Sequence, residues 1–168
     1  MCRVKKERKE TIEERIYKSY HLLLSIAEKK ASGTALTPSE QVEYNKFENY
    51  YISKGITNIN YCIGNNDKLR TYILETKFNG TWPAKTINGV DVYMQPYCDI
   101  NSKPTTNNVF VFGSTSVMNE SSNKNWNTNY IYDYERKSWY TGNTIMIANK
   151  SLEKIKSEMN SKGWTNAK

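Results

Sequence analysis

A single histidine, His21, and three cysteines are all that the 168 residues offer for imidazole or thiol chemistry. With no second histidine, catalytic triads, His dyads and His-rich metal sites lack a general base or a ligand set. Glycine is equally thin: eight residues, each isolated from the next, through which no phosphate-cradling loop or dinucleotide fingerprint can be drawn. No apolar stretch approaches the ~20 residues that span a bilayer, and the opening Met1-Cys2-Arg3-Val4-Lys5-Lys6-Glu7-Arg8 has no apolar run behind it. Asp91, Asp99 and Asp133 fall on different strands or loops, without the alternation of oxygen ligands that a calcium loop needs. The expectation is a protein with no catalytic residue, no bound cofactor, no metal and no small-molecule substrate.

What the chain does contain is charge, amide and aromatic surface. The net charge of +7 divides unevenly. Residues 1–30 hold nine Lys/Arg against five Glu, residues 150–168 hold five Lys against two Glu, and the stretch between is balanced at ten against ten. In both ends acids interleave with bases, as in Lys9-Glu10 and Glu13-Glu14-Arg15, a pattern of solvated helix faces more than of a phosphate-binding stripe. The alternative is a basic intracellular protein that grips nucleic acid through its end helices, with Arg3, Lys5, Lys6, Arg8 and Lys9 as contacts. Such binding would weaken steeply with salt, by a log-log slope of about −0.9 per phosphate contact. Twenty Asn, 13 Tyr and 4 Trp at 38% hydrophobic residues point to a core built from aromatic and β-branched side chains, which disordered chains lack.

The spacing predicts an α+β fold in one domain. From Lys5 to about Ala31, Ile12, Ile16, Tyr20, Leu23, Leu24 and Ala27 recur at three and four, an amphipathic helix whose first third would project. This spine, residues 1–31, precedes a globular head, residues 32–168. Ser32-Gly33 ends the helix. Thr37-Pro38-Ser39-Glu40 is a capping-box start for a second helix, Ser39 to Ser53, carrying Val42, Phe47, Tyr50 and Tyr51. The run Leu69, Tyr72, Ile73 to Phe78 fits a short helix or a strand equally. Beyond Trp82-Pro83, turn signals alternate with period-two runs at 90–94, 109–112, 130–134, 138–141 and 144–147: an antiparallel sheet of four to five strands. A last helix starts at Ser151 and stops at Gly163. The long helix should pack on this sheet, with Ser- and Asn-rich loops at 99–107 and 113–129 outermost.

Two features carry candidate chemistry. Cys62 and Cys98 sit in similar Tyr-Cys contexts 36 residues apart; they could close a disulfide in an oxidising compartment or remain two buried thiols, and Cys2 has no evident partner. In the aromatic hairpin, Tyr130, Tyr132 and Tyr134 fall on one face of one strand, with Trp139 and Tyr140 opposite. Such ladders stack on bases or sugars. They are also an ordinary means of stabilising a sheet, and the hairpin's charges cancel, so the structural role is preferred.

Three stretches together resemble a type IV pilin-like protein, the class of minor pilins and of the pseudopilins of type II secretion. Glu14-Arg15-Ile16-Tyr17-Lys18-Ser19-Tyr20-His21-Leu22-Leu23-Leu24 is similar to the soluble half of the pilin spine. Leu69 to Tyr72 followed by Trp82-Pro83 resembles the segment that precedes the pilin sheet. Tyr130-Ile131-Tyr132-Asp133-Tyr134 with Trp139-Tyr140 is similar to the aromatic strand pairs of such sheets. The resemblance implies a structural subunit of a pilus or pseudopilus, displayed at the cell surface and assembled with other pilin subunits into a filament. The full-length precursor would be anchored by an N-terminal hydrophobic segment that this stretch lacks. The outer loops would meet neighbours or surface ligands.

Overall fold

In the computed structural model, residues 9–98, 104–115, 130–142, 147 and 150–167 are described. Helix α1 runs Ile12–Ser32, 21 residues and about 30 Å long. It does not begin at Lys5: residues 9–11 are non-helical, and the Thr11 hydroxyl caps the helix by accepting the Glu14 N–H at 3.1 Å. Thr11 to Glu14 has the same Thr-x-x-Glu spacing as Thr37 to Glu40, so the start was written in the sequence, masked by the helix-compatible charges before it. Whether residues 1–8 project lies outside the described residues. Gly33, at φ 72°, closes the helix in the left-handed conformation that glycine adopts without strain.

Helix α2, Pro38–Ser53, begins with the complete capping box: the Thr37 hydroxyl accepts the Glu40 N–H, and the Glu40 carboxylate accepts the Thr37 N–H. Helices α3, Ile59–Ile63, and α4, Asn66–Lys77, follow. The ambiguous run at 69–78 is thus mostly helix. Asn65 caps it by accepting the Lys68 N–H, and Leu69, Tyr72 and Ile73 share its buried stripe. The four helices enclose a core of Tyr20, Leu23, Leu24, Phe47, Tyr72 and Ile73 among others, which also holds Cys62, Cys98 and Val109. Val42, expected on the apolar face of α2, is 55% exposed instead.

The sheet has six strands, not four or five: β1 Ala84–Ile87, β2 Val90–Tyr97, β3 Phe110–Ser114, β4 Tyr130–Asp133, β5 Ser138–Thr141 and β6 Thr165–Ala167. They lie in sequence order and pair antiparallel throughout. The two unforeseen strands are the edges. In β1 only Ile87 is buried, so no alternation announces it; it forms because Asn88 and Gly89, at φ 52° and 80°, make a two-residue hairpin that pairs Ile87 with Val90. In β6, Thr-Asn-Ala carries no strand-forming hydrophobic residue, and pairing to β5 alone defines it. The expected strand at 144–147 lies outside the described residues except for Ile147, which is buried.

Alternation sends the two faces of the sheet to different neighbours. Val92, Met94, Val111, Tyr132 and Trp139 cluster with Ile16 of α1. Phe110, Phe112 and Ile131 pack instead on Ile155 and Met159 of helix α5, Leu152–Ser161. Ser151 caps α5 and Gly163, at φ 72°, follows it, as the sequence indicates. The expected laying of a long helix along the sheet is replaced by a division of labour within α1. Ile16 and Tyr17 meet the strands, whereas from Tyr20 onward its buried side chains belong to the helical core.

Candidate functional site

The β4–β5 hairpin turns through residues 134–137, with Asp133 paired to Ser138. Asp133 builds the turn: its Oδ1 accepts the N–H groups of Glu135 at 3.0 Å and Arg136 at 3.2 Å, an Asx turn, and Lys137 takes φ 57° to complete it. The strand period then sorts the aromatic residues of the hairpin. Tyr130, Tyr132 and Trp139 point into the sheet-side core, at 8%, 4% and 5% exposure, and are structural. Tyr134, half-buried, stacks on Tyr17 at 3.9 Å between centroids, with the Lys137 ammonium 4.0 Å from its ring centroid. Only Tyr140 faces α5 with Ile131 and Asp133, so the ladder read from sequence is not one surface.

Between that face and α5 lies an open groove. Ile131, Leu152, Met159, Tyr140 and Trp164 form its apolar walls, and Asp133, Arg136, Lys156 and Asn160 its polar side. Trp164 is positioned by Gly142: a Cβ there would stand 2.5 Å from the indole, so the backbone of β5's end and the ring fit only without a side chain. The Asp133 carboxylate is nearly buried, yet its cations stand off. Arg136 Nε and Lys156 Nζ are each 3.5 Å away, and Lys156 lies 3.6 Å from Glu135. The Arg136 guanidinium lies 5.9 Å from the Tyr140 ring centroid, and the nearby Tyr140 hydroxyl, with Asp133 after it, raises the guanidinium pKa above its ordinary value. The four charges cancel. The Asn160 side chain is exposed at the rim and supplies both a donor and an acceptor. This set can bind; it presents no nucleophile paired with a base, and among the described residues no group of three or more His, Cys, Asp or Glu could hold a metal.

The other residues singled out by sequence lie elsewhere. Cys62, in α3, and Cys98, just past β2, are buried in the helical core, where the structure carries both as thiols. Burial raises the Cys62 pKa, opposed by Lys68. Cys2 lies outside the described residues. His21 is half-buried and stacked on Tyr17 at 5.5 Å; burial lowers its pKa, opposed by Glu28. Of the loop at 99–107, residues 99–103 are outside the described residues, and Thr106 docks on α1 by donating its N–H to the Glu28 carboxylate at 2.8 Å. Most of the 113–129 loop is likewise outside them. Sequence reasoning missed Lys156, Asn160 and Trp164, whose one signal was an amphipathic last helix ended by a glycine and a tryptophan.

No known family matches the sequence, and no curated protein is significantly similar to it. No helix among the described residues is long and apolar enough to cross a membrane.

Proposed function

We propose that the chain is a structural subunit of the pilin class, the outward-facing head of a surface filament that acts through contacts and not through catalysis. The observation that carries the reading is the seating of the first two turns of α1. Ile16 enters the cluster of Val92, Met94, Val111, Tyr132 and Trp139, and Tyr17 stacks on Tyr134 of the following hairpin. Glu13 and Glu14, 5% and 4% exposed, are held there by Lys85 at 3.0 Å and Lys137 at 3.9 Å. A helix start pinned to the sheet in this way fixes the direction of α1 relative to the head. Thr11 caps α1, a departure from a spine helix running on from Lys5.

The nucleic-acid reading finds less support, since Lys150 and Lys156 of the basic C-terminal end are spent on Glu158 and Asp133. The Cys62–Cys98 bridge belongs with the filament reading, as a secreted form would be oxidised; it would weigh two hydrogen atoms less than the reduced chain. The test is location and assembly. An antibody raised to the chain should decorate filaments sheared from the surface of the source cells, and recovery solely with the cytosolic fraction overturns the proposal.

A further inference from the structure

We infer that Asn88 is a site of covalent modification: it deamidates without an enzyme through the backbone nitrogen of Gly89, and the isoaspartate formed loosens the edge strand β1, which carries the cation that answers Glu13.

The chemistry is intrinsic to an Asn-Gly pair. The nitrogen of the following peptide loses its proton to solvent and attacks the side-chain amide carbon; an imide ring closes and ammonia leaves. Water then opens the ring at one carbonyl or the other, leaving aspartate or isoaspartate, in which the main chain runs through the β-carbon. Asparagine and water thus become an acidic residue and ammonia, with no oxidant or cofactor. A side chain on the following residue hinders ring closure, and glycine has none.

The sequence holds two such pairs, Asn79-Gly80 and Asn88-Gly89, and the fold treats them differently. Both asparagines are exposed and left-handed, at φ 53° and 52°, and their glycines follow at φ 82° and 80°, so neither exposure nor φ separates them. The attacking atom does. Past the end of α4 the Gly80 N–H donates to the Leu74 carbonyl at 2.8 Å, and the next N–H, of Thr81, donates to the Phe78 carbonyl at 3.1 Å. A peptide nitrogen committed in this way neither releases its proton to solvent nor swings toward a side chain until the helix end unwinds. In the β1–β2 turn the ladder closes between Ile87 and Val90, which flank the two turn residues, and the Gly89 N–H takes no part in it. The space around Gly89 is open: a Cβ there would meet no atom within 4 Å, whereas one at Gly80 would lie 4.0 Å from the Glu75 carboxylate.

The turn also opens without unfolding its surroundings. In β1 only Ile87 is buried, Val90 is 41% exposed, and among the described residues the pairing of β2 to β3 begins at Tyr93. Fraying the Ile87–Val90 pair at the tip of an edge hairpin is a small local opening, and it lets the Gly89 nitrogen reach the Asn88 amide carbon.

The product acts beyond the turn. A two-residue turn sets the register of its hairpin, and isoaspartate lengthens the main chain within it by one atom, so Ile87 no longer meets Val90. The strand β1 is paired to β2 alone, and its Lys85 ammonium lies 3.0 Å from the Glu13 carboxylate. Glu13, in the first turn of α1, is 5% exposed, so a loosened β1 takes the cation away from a buried charge.

The test is ageing of the folded chain in mildly alkaline buffer, followed by tryptic peptide mapping. Cleavage after Lys77 and Lys85 places the two pairs on separate peptides, and fragmentation assigns the modified residue. Asn88 should convert to a mixture of aspartate and isoaspartate about tenfold faster than Asn79, or more, and the two rates should converge in denaturant, where only the chemistry of the pair remains. In the aged chain the amides of β1 should exchange hydrogen faster while those of β3 keep their protection. Asn88→Gly, which keeps a residue at ease in the left-handed turn and removes the reacting amide, should age without either change. An unmodified Asn88, or equal conversion of Asn79 and Asn88 in the folded chain, overturns the site. Conversion that leaves β1 exchange unaltered, or loosening that also appears in aged Asn88→Gly, overturns the consequence for β1.

Discussion

The helical layer and the groove side of the sheet both bury carboxylates, and they treat them differently. In the helical layer Glu40 receives the Lys29 ammonium at 2.6 Å, and Glu43 receives Lys77 at 3.0 Å together with the Tyr72 hydroxyl at 3.2 Å. Burial and the Glu43 carboxylate hold the Tyr72 hydroxyl well above its ordinary pKa, so it stays a donor throughout the physiological range. On the groove side Asp133 has cations that stop at 3.5 Å beside open space. The first region is closed, with each buried charge answered at hydrogen-bond distance, as a scaffold requires. The second holds its carboxylate by backbone N–H groups and longer ion pairs at an open edge.

That contrast is most easily broken by truncation. Phe47→Ala empties a fully buried position that touches Tyr51 and Tyr72, and should cost about 3–5 kcal/mol in denaturant unfolding. Leu152→Ala, at a half-buried position on the groove wall, should cost far less; equal losses would mean that the groove is as much core as the helical layer. Next in size is Gly142→Ala, whose methyl group would collide with the Trp164 indole and should destabilise by about 1–3 kcal/mol. Its check is the thermal midpoint together with the environment of Trp164, and an unmoved indole would refute the packing.

Removing a cap gives a smaller loss. Thr37→Ala should cost about 1 kcal/mol by taking away the hydroxyl that accepts the Glu40 N–H, and Thr11→Ala about the same. By comparison Asn160→Ala, on the exposed rim, should stay within about 0.5 kcal/mol. A large loss there would show that Asn160 belongs to the framework.

The smallest effect concerns pH. Burial lowers the His21 pKa in the folded chain, so the unfolded chain takes up the proton first. Stability from this group is therefore complete above its ordinary value of 6.5 and declines as the pH falls through it. Glu40 works in the same sense at lower pH: its hydrogen bond from Lys29 depresses its pKa, and the stability it contributes is lost as the pH falls below the usual carboxylate range. His21→Gln should flatten the upper part of that profile in equilibrium unfolding, and an unchanged slope between pH 7.5 and 5.5 would show that His21 titrates alike in both states.

Much of the framework can be read without coordinates, and the exceptions share a cause. Thr37-Pro38-Ser39-Glu40, Asn88-Gly89, Ser151 and Gly163 are local signals whose hydrogen bonds close within a few residues, and each appears where its chemistry places it. The apparent continuity of the first helix back to Lys5 failed because charged residues suit a helix and an exposed coil alike, and only the Thr11 cap breaks the tie. The groove was illegible for a different reason. Asp133 and Lys156 are 23 positions apart and meet only when α5 folds across the sheet, and nothing in the hairpin itself says that Tyr140 will face a groove while Trp139, its neighbour, enters the core.

Sequence by itself therefore determined the α+β order, the caps, the turns and the alternation of the central strands, because these depend on interactions within one turn of helix or one hairpin. Tertiary structure alone decided the edge strand β6, the sharing of α1 between sheet and helices, and the groove beneath α5. Those depend on which surfaces meet, and contacts between residues far apart in the chain leave no period or spacing in the sequence that joins them.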